Sequence, residues 1–361
     1  MKVAVTGLRG VPGVMGGVET HCEELLVRMK RLAPELAITV FARAPYVPEG
    51  PYELEGVSVV PLPSPRSRSF EAIVATFNGV LAAWRAGADI LHIHAIGPAL
   101  LAPLGRLLGM QVIVTHHGED YRRAKWGFVA RQMLKLGETL ACRSAHRLVA
   151  VSPSLAERLQ AAYPAAADRI RFIPNGVPHL PAGRGEALAK LDLAPGGYIL
   201  AVGRLVPEKG LHDLIDAHAK AGDPRTLVIV GGADHESAYA TRLQSRGGER
   251  VRFAGLQDRA TLRELFENAS LFVMPSYHEG LPIAALEAAS CATPMLLSDI
   301  QPNLDLGLGR EHYFPVGDVA ELAHRLGRPA ESYAVDRQAF LRAFDWDAIS
   351  ERTLAVYREL A

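Results

Sequence analysis

Short β-branched runs alternate with longer helical patterns along almost the whole chain, and this alternation stops once and restarts. The first series predicts strands at 2–6, 38–42, 57–61, 90–94, 111–115, 148–151 and 170–173. Helical runs such as GGVETHCEELLVRMKRL and KWGFVARQMLKLGETLACRSA lie between them. Alternation of this kind specifies a parallel sheet with helices on both faces. Over residues 178–195 the texture turns rich in Gly, Pro and Ala and has no β-run, as expected of a crossing between domains with a lead-in helix. A second series then predicts strands at 198–202, 226–230, 251–254, 271–275 and 294–298. The expected fold is α/β, with two doubly wound, Rossmann-like parallel-sheet domains facing a cleft. The first domain spans 1–178, the linker 179–195 and the second domain 196–344. The closing helix, 345–361, packs back on the first domain. A length of 361 residues suits two such domains. Ligands are expected at the carboxyl ends of the strands.

Hydrophobic residues make up 49% of the chain and charged ones 22%, which supplies ample core and excludes disorder. The net charge is zero, so bulk nucleic-acid binding is not expected. Residues 1–178 hold 20 Lys and Arg against 14 Asp and Glu, and the remainder holds 19 against 25. A basic first half suits an anionic acceptor or a membrane surface, although two ordinary domains can differ this much. Cys22, Cys142 and Cys291 are widely spaced with no C-x-x-C, which fits a reducing cytoplasm and no disulfide framework or zinc site. The opening MKVAVTGLRG is a strand and turn, not a signal peptide. The most apolar long stretch, 95–114, is broken by Arg106, two prolines and three glycines, so no transmembrane helix is expected there. Any membrane contact is then peripheral, at the inner face.

The first strand leads into TGLRGVPGVMGGVET, which matches neither G-x-G-x-x-G nor a P-loop. Gly16 and Gly17 at a helix start still let backbone amides approach an anion, although a flexible glycine turn explains the same pattern. In the second domain, Gly203-Arg204 follow a strand and Lys209-Gly210 open a helix. Two cations and a helix start at one strand end suit a diphosphate. Solvated surface cations are the competing reading.

The segment SYHEGLPIAALEAASC sets Glu279 and Glu287 apart by seven residues. Pro282 suits the first position of a helix, which leaves the amides of Gly280, Leu281 and Ile283 as donors for a phosphate or sugar hydroxyls. The helix does not reach back to Glu279, so the two acids need not share a face and are expected to touch different parts of one extended ligand. Carboxylates accept pairs of hydroxyl protons well.

Other features weigh less. Asp345-Trp346-Asp347 has the acid-x-acid form of a metal site but opens a helix, where an acid caps. His92, His94, His116 and His117 lie near two strand ends, but without a matching carboxylate or thiolate no metal is expected. YRRAKWGFVARQMLK is basic and aromatic. It suits an acceptor phosphate or lipid surface as well as it suits a solvated helix face.

Taken together, HEGLPIAALE behind GRLVPEKG, with MGGVET, VTHHGEDYRRAKW, FIPNGV and the closing FDWDAISERTLAVYREL, resembles the retaining nucleotide-sugar transferases of glycosyltransferase family 4, which have the GT-B fold. The likeness covers essentially the whole chain. It implies that Glu287 binds ribose hydroxyls and that Arg204 and Lys209 bind the diphosphate. Glu279 contacts the donor sugar, with the Gly280, Leu281 and Ile283 amides beside it. Gly16 and Gly17 line the diphosphate from the other domain, His117 sits at the donor sugar near the reacting carbon, and residues 253–255, ending at Gly255, lie near the base. Asp120, Arg122, Arg123 and Asn175 fall on the acceptor side or the cleft. The chain departs from the family in three places. Leu281-Pro282 stand where Phe-Gly is frequent, Ala292 stands where Gly is frequent, and His116 stands where an aliphatic residue is usual.

The resemblance further implies transfer with retention and no metal, in which amides, Arg204 and Lys209 stabilise the leaving phosphate and domain closure excludes water. No cofactor is expected. The co-substrate is a nucleoside-diphosphate sugar, with UDP the first choice and GDP or TDP open. The acceptor is a glycan or a lipid-linked molecule of cell-surface polysaccharide or glycolipid synthesis. The alternatives are a nucleotide-sugar epimerase or phosphorylase on the same architecture, or a non-catalytic sugar-nucleotide sensor.

Overall fold

A computed structural model describes the whole chain except residues 15, 66–70, 123–125, 179, 234–236 and 361. The contacts divide it into two units, Met1–Gly176 with Phe344–Ala361, and Val177–Ala343.

The first unit has eight strands among the described residues. They are β1 (Lys2–Thr6), β2 (Ala37–Arg43), β3 (Tyr52–Leu54), β4 (Val57–Leu62), β5 (Ile90–His94), β6 (Gln111–His116), β7 (Arg147–Ala150) and β8 (Ile170–Phe172). They form one sheet in the order β3-β4-β2-β1-β5-β6-β7-β8. All pairings are parallel except β3 with β4. Side chains alternate between faces along a strand. Val3 and Val5 of β1 therefore join Ile38 and Val40 in one core, while Ala4 joins Leu91, Ile93, Val112 and Val114 in another. Both faces are covered, which is why these strands read as continuous apolar runs. The closing helix, Trp346–Arg358, adds Trp346, Ile349, Leu354 and Tyr357 to the first core, beside Leu25, Leu26 and Met29 of the helix Gly17–Leu32.

The second unit has six strands among the described residues. They are β9 (Tyr198–Val202), β10 (Thr226–Val230), β11 (Val251–Gly255), β12 (Leu271–Met274), β13 (Met295–Ser298) and β14 (Tyr313–Phe314). Their order is β11-β10-β9-β12-β13-β14, all parallel. Residues 177–195 belong to this unit rather than forming a free crossing. Their amides at Gly185, Ala187 and Leu188 donate to the buried Glu264 carboxylate at 2.9, 2.8 and 3.3 Å.

Two strands escape the sequence reading. β3 is a three-residue edge strand turned by Glu55 and Gly56, both with positive φ. β14 has only two residues. Neither is long enough to show a period. The apolar stretch 95–114 divides into a 3-10 turn, the short helix Ala102–Leu107 and β6. No helix among the described residues is long and apolar enough to cross a membrane.

Candidate active site

In an open parallel sheet, ligands bind where the strand order reverses, at the carboxyl ends of two neighbouring strands whose chains leave to opposite sides. In the second unit that point lies between β9 and β12, because β9 has β10 on one side and β12 on the other. The chain leaving β9 carries Gly203, Arg204 and the 3-10 turn Pro207–Lys209, and the chain leaving β12 carries Ser276 to Pro282. The two meet. Lys209 Nζ lies 2.6 Å from Glu279 Oε1, and the Ser276 hydroxyl donates to the same oxygen at 2.6 Å. Burial alone would raise the Glu279 carboxyl, but Lys209, by charge and hydrogen bond, and then Ser276 hold it below the ordinary range. The Tyr277 amide donates to Glu208 O at 2.9 Å and its hydroxyl donates to Asp213 at 2.6 Å, which fastens the β12 loop to the helix Leu211–Ala221.

Glycines make this close approach possible. A Cβ on Gly210, whose φ is +63°, would lie 2.0 Å from Pro275 O, and one on Gly231 would lie 1.9 Å from Gly203 O. The ends of β9, β10 and β11 therefore present backbone in place of side chains.

The helix after Glu279 is Ile283–Ser290, one residue later than the sequence suggests. Pro282 is not its first residue but its N-cap, with extended ψ of 92°. The Pro282 carbonyl accepts from the amides of Ala285 and Leu286 at 3.1 and 3.3 Å. The amides of Gly280, Leu281, Ile283 and Ala284 have no acceptor among the described residues. Ala284 thus joins the donors foreseen at Gly280, Leu281 and Ile283. Four amides at a helix start, beside a cation, can bind an anion. Half-buried Glu287 sits about one turn into the helix. Gly255 ends β11 at φ +67°, with open space where a side chain would stand. Half-buried Arg204 lies two residues beyond the end of β9.

In the first unit the sheet reverses between β1 and β5. The loop after β1 ends at Gly16, the N-cap of Gly17–Leu32, with φ +152°. A Cβ there would lie 2.1 Å from Glu19 Oε2. Glu19 accepts from the Arg9 amide and Nε, both at 3.1 Å, so this carboxylate ties the loop to the helix.

His117 follows β6. Its Nε2 lies 3.0 Å from His94 Nδ1, and its ring packs against those of His94 and His21. Burial, followed by the neighbouring imidazoles, lowers His94 and His117 well below the usual histidine range. Burial also brings His21 down to about 4, against the opposing effect of its Asn175 bond. These rings are neutral at pH 7.

His116 is committed elsewhere. Its Nε2 lies 2.9 Å from Glu138 Oε2, and its Nδ1 accepts from the Gly118 amide at 3.2 Å. Arg158 Nη2 donates to Glu138 at 2.6 Å. Burial would raise Glu138, but the hydrogen bonds from His116 and Arg158 bring it down to about 2. This network fixes the peptide on both sides of His117.

Buried Asn175 accepts from His21 at 2.7 Å. Exposed Arg122 pairs with Glu119 at 2.8 Å, and Asp120 opens the same 3-10 turn. Arg123 lies outside the described residues. Asp345 caps the closing helix, accepting from Ala348 N at 2.8 Å, and Asp347 pairs with Arg31 at 2.5 Å. The sequence reading missed Glu138, Ser276 and His21. Of these, His21, four residues past Gly17, and Ser276, the first residue of SYHEGLPIAALEAASC, sit in segments already singled out.

Two units, each a largely parallel sheet with polar groups at its reversal point, have the architecture of the GT-B fold. The model of the glycosyltransferase family 4 domain matches residues 15–179, and that of the group 1 glycosyl transferases matches residues 189–326. The chain belongs to the family 4-type glycosyltransferases. It is 28% identical to an alpha-maltose-1-phosphate synthase of Mycobacterium tuberculosis over an alignment spanning all of both chains. It is 30% identical to a D-inositol 3-phosphate glycosyltransferase of Actinosynnema mirum, over 63% of this chain and 60% of that one. Among solved structures, a sucrose-phosphate synthase from Thermosynechococcus elongatus superposes with a TM-score of 0.80 at 22% identity, covering 99% of this chain and 98% of the other. The Anabaena protein HepE, solved with UDP and glucose, superposes with a TM-score of 0.78 at 18% identity, covering 99% and 100%.

Proposed function

We propose that this glycosyltransferase moves a sugar, with retention and without a metal, from a nucleoside-diphosphate sugar to a glycan or lipid-linked acceptor. The Lys209–Glu279 pair at the β9/β12 reversal, beside the amides of residues 280–284, carries this reading. Charge builds on the leaving diphosphate during transfer. Lys209, Arg204 and the helix-start amides stabilise it there, with no reorganisation needed as the bond breaks. Glu279, held ionised, accepts from the transferred sugar's hydroxyls, and Glu287 accepts from the ribose. Gly16 and Gly17 admit the diphosphate to the first unit, where His117 serves the donor sugar. Asp120, Arg122, Arg123 and Asn175 serve the acceptor side. UDP is the first nucleotide to try, since HepE was solved with UDP and glucose.

A sugar-phosphate acceptor is the second reading, favoured by relatives whose names carry maltose 1-phosphate and inositol 3-phosphate. A peripheral inner-membrane site is supported by the start of the helix Phe128–Ser144. Phe128, Val129, Met133 and Leu136 are exposed there, on a helix that also carries Arg131 and Lys135.

The deciding experiment incubates UDP-, GDP-, TDP- and ADP-sugars with glycan, lipid-linked and sugar-phosphate acceptors. Release of nucleoside diphosphate that depends on acceptor, with the donor's anomeric configuration kept in the product, is expected. An epimerised nucleotide sugar formed without acceptor, or binding without turnover on every acceptor, overturns the reading.

A further inference from the structure

His21, His94 and His117 come from three different elements, the helix Gly17–Leu32, the end of β5 and the residue after β6. One ring nitrogen from each lies within 4.8 Å of the other two. Their ring centroids stand 4.9 Å apart for His21 and His117, 5.3 Å for His94 and His117, and 5.5 Å for His21 and His94.

The hydrogen bonds leave two ring nitrogens of this cluster without a partner among the described residues. Asn175 Oδ1 can only accept, so the 2.7 Å contact puts a proton on His21 Nδ1 and leaves Nε2 bare. That Nε2 is buried with no partner among the described residues, as is His94 Nε2. A buried polar nitrogen without a partner is costly and calls for an explanation. The 3.0 Å contact of His94 Nδ1 with His117 Nε2 holds one shared proton between two nitrogens. A metal-ligating imidazole is typically held by a carbonyl or carboxylate on its far nitrogen, which is the relation of His21 to Asn175.

Two neighbouring histidines show the contrast. Both nitrogens of His92 are taken, by Tyr357 at 2.6 Å and Thr115 at 2.7 Å, and both nitrogens of His116 are taken by Glu138 and the Gly118 amide.

We propose that His21, His94 and His117 form a binding site for a borderline divalent transition-metal ion of the Zn²⁺ class, with a fourth coordination position left open. Imidazole nitrogens suit such ions, and three protein ligands with one open position is a common arrangement for them. The ion plays no part in the metal-free transfer proposed above, but its site shares His117 with it. An ion in it takes up His117, so transfer slows when the site fills. That consequence rests on the proposed role of His117, whereas metal binding does not.

The test titrates the untagged, metal-stripped full chain with Zn²⁺ against a chromophoric chelator, and with Co²⁺ followed by its visible d–d bands. One equivalent bound is expected, with a rise in melting temperature and Co²⁺ bands of a four-coordinate nitrogen site. His21→Ala and His94→Gln are each expected to weaken Zn²⁺ at least about 10-fold, while His212→Ala leaves it unchanged. Zn²⁺ affinity unaltered in either folded variant overturns the proposal. So does the absence of both a thermal shift and Co²⁺ bands in the unaltered chain, a readout that needs no variant. Binding retained in a preparation without transfer activity separates this site from the proposed function.

Discussion

The Lys209 ammonium and the Glu279 carboxylate meet at 2.6 Å across the reversal point of the second sheet, with side chains only 20% and 10% exposed. Lys209 holds the Glu279 carboxyl below its ordinary range in a place where water contributes little. Ligand-free, they neutralise one another. With a donor present, the ammonium can turn to phosphate and the carboxylate to hydroxyls, so the pair stores two charges ready for use.

Removing either partner strands the other. Lys209→Ala and Glu279→Ala are each expected to lower kcat/KM by about 100-fold or more, in line with losing one preorganised charge. Each is also expected to lower stability by up to about 3 kcal/mol, as when a buried pair is broken on one side. The double variant should be more stable than the sum of the two losses implies. Urea unfolding of all three, beside initial-rate assays, separates the effects. Additive losses in stability would show that the pair is not coupled.

Glu138 makes acid sensitivity specific. Its folded pKa, about 2, lies below the ordinary carboxyl value of 4.5. The unfolded chain therefore binds the extra proton between those values, so this contribution is complete above about pH 4.5 and is lost as pH falls towards 2. It amounts to roughly 3 kcal/mol at most. Glu138→Gln should lower stability at pH 7 and flatten the acid limb of the stability–pH curve. Because Glu138 holds His116, it should also lower kcat more than it raises KM. A curve parallel to that of the unaltered chain contradicts the assignment.

These two pairs show what a sequence reveals and what it conceals. Strands such as β1, β5, β9 and β10 are buried on both faces and announce themselves as apolar runs, whereas β3 and β14 are too short to do so. Arg204, Lys209 and Glu279 were legible in position because each lies in the loop that leaves a strand's carboxyl end. Glu138 was not, because it sits mid-helix in a basic run and meets His116 only through the packing of Phe128–Ser144. His21 and Asn175 are 154 residues apart in sequence and meet only through the fold.

Asp345 separates capping from metal binding at the acid-x-acid motif. Its side chain accepts from the Ala348 amide, so Asp345→Ala should cost about 1 kcal/mol. Asp345→Asn keeps an acceptor and should cost little. Neither change should make transfer depend on added Mg²⁺ or Mn²⁺. Thermal melts and metal-supplemented assays check both outcomes, and a metal-rescued loss in Asp345→Asn would contradict the capping role.

Gly231 and Gly255 end neighbouring strands and both have positive φ, but only Gly231 is hemmed in by backbone. An added Cβ at Gly231 meets Gly203 O at 1.9 Å, whereas at Gly255 it meets nothing within 4 Å. Gly255→Ala should therefore cost only the left-handed backbone term, about 1–2 kcal/mol. Gly231→Ala adds a clash with a carbonyl that no side-chain rotation relieves, so it should cost more, about 3 kcal/mol or above. It should also displace Gly203 and with it Arg204, lowering donor affinity, because the carbonyl it pushes belongs to the chain leaving β9. Chemical denaturation ranks the two variants, and calorimetric titration with a nucleoside diphosphate tests the displacement. Equal stability losses would mean that the close approach of the β9 and β10 ends is not a constraint.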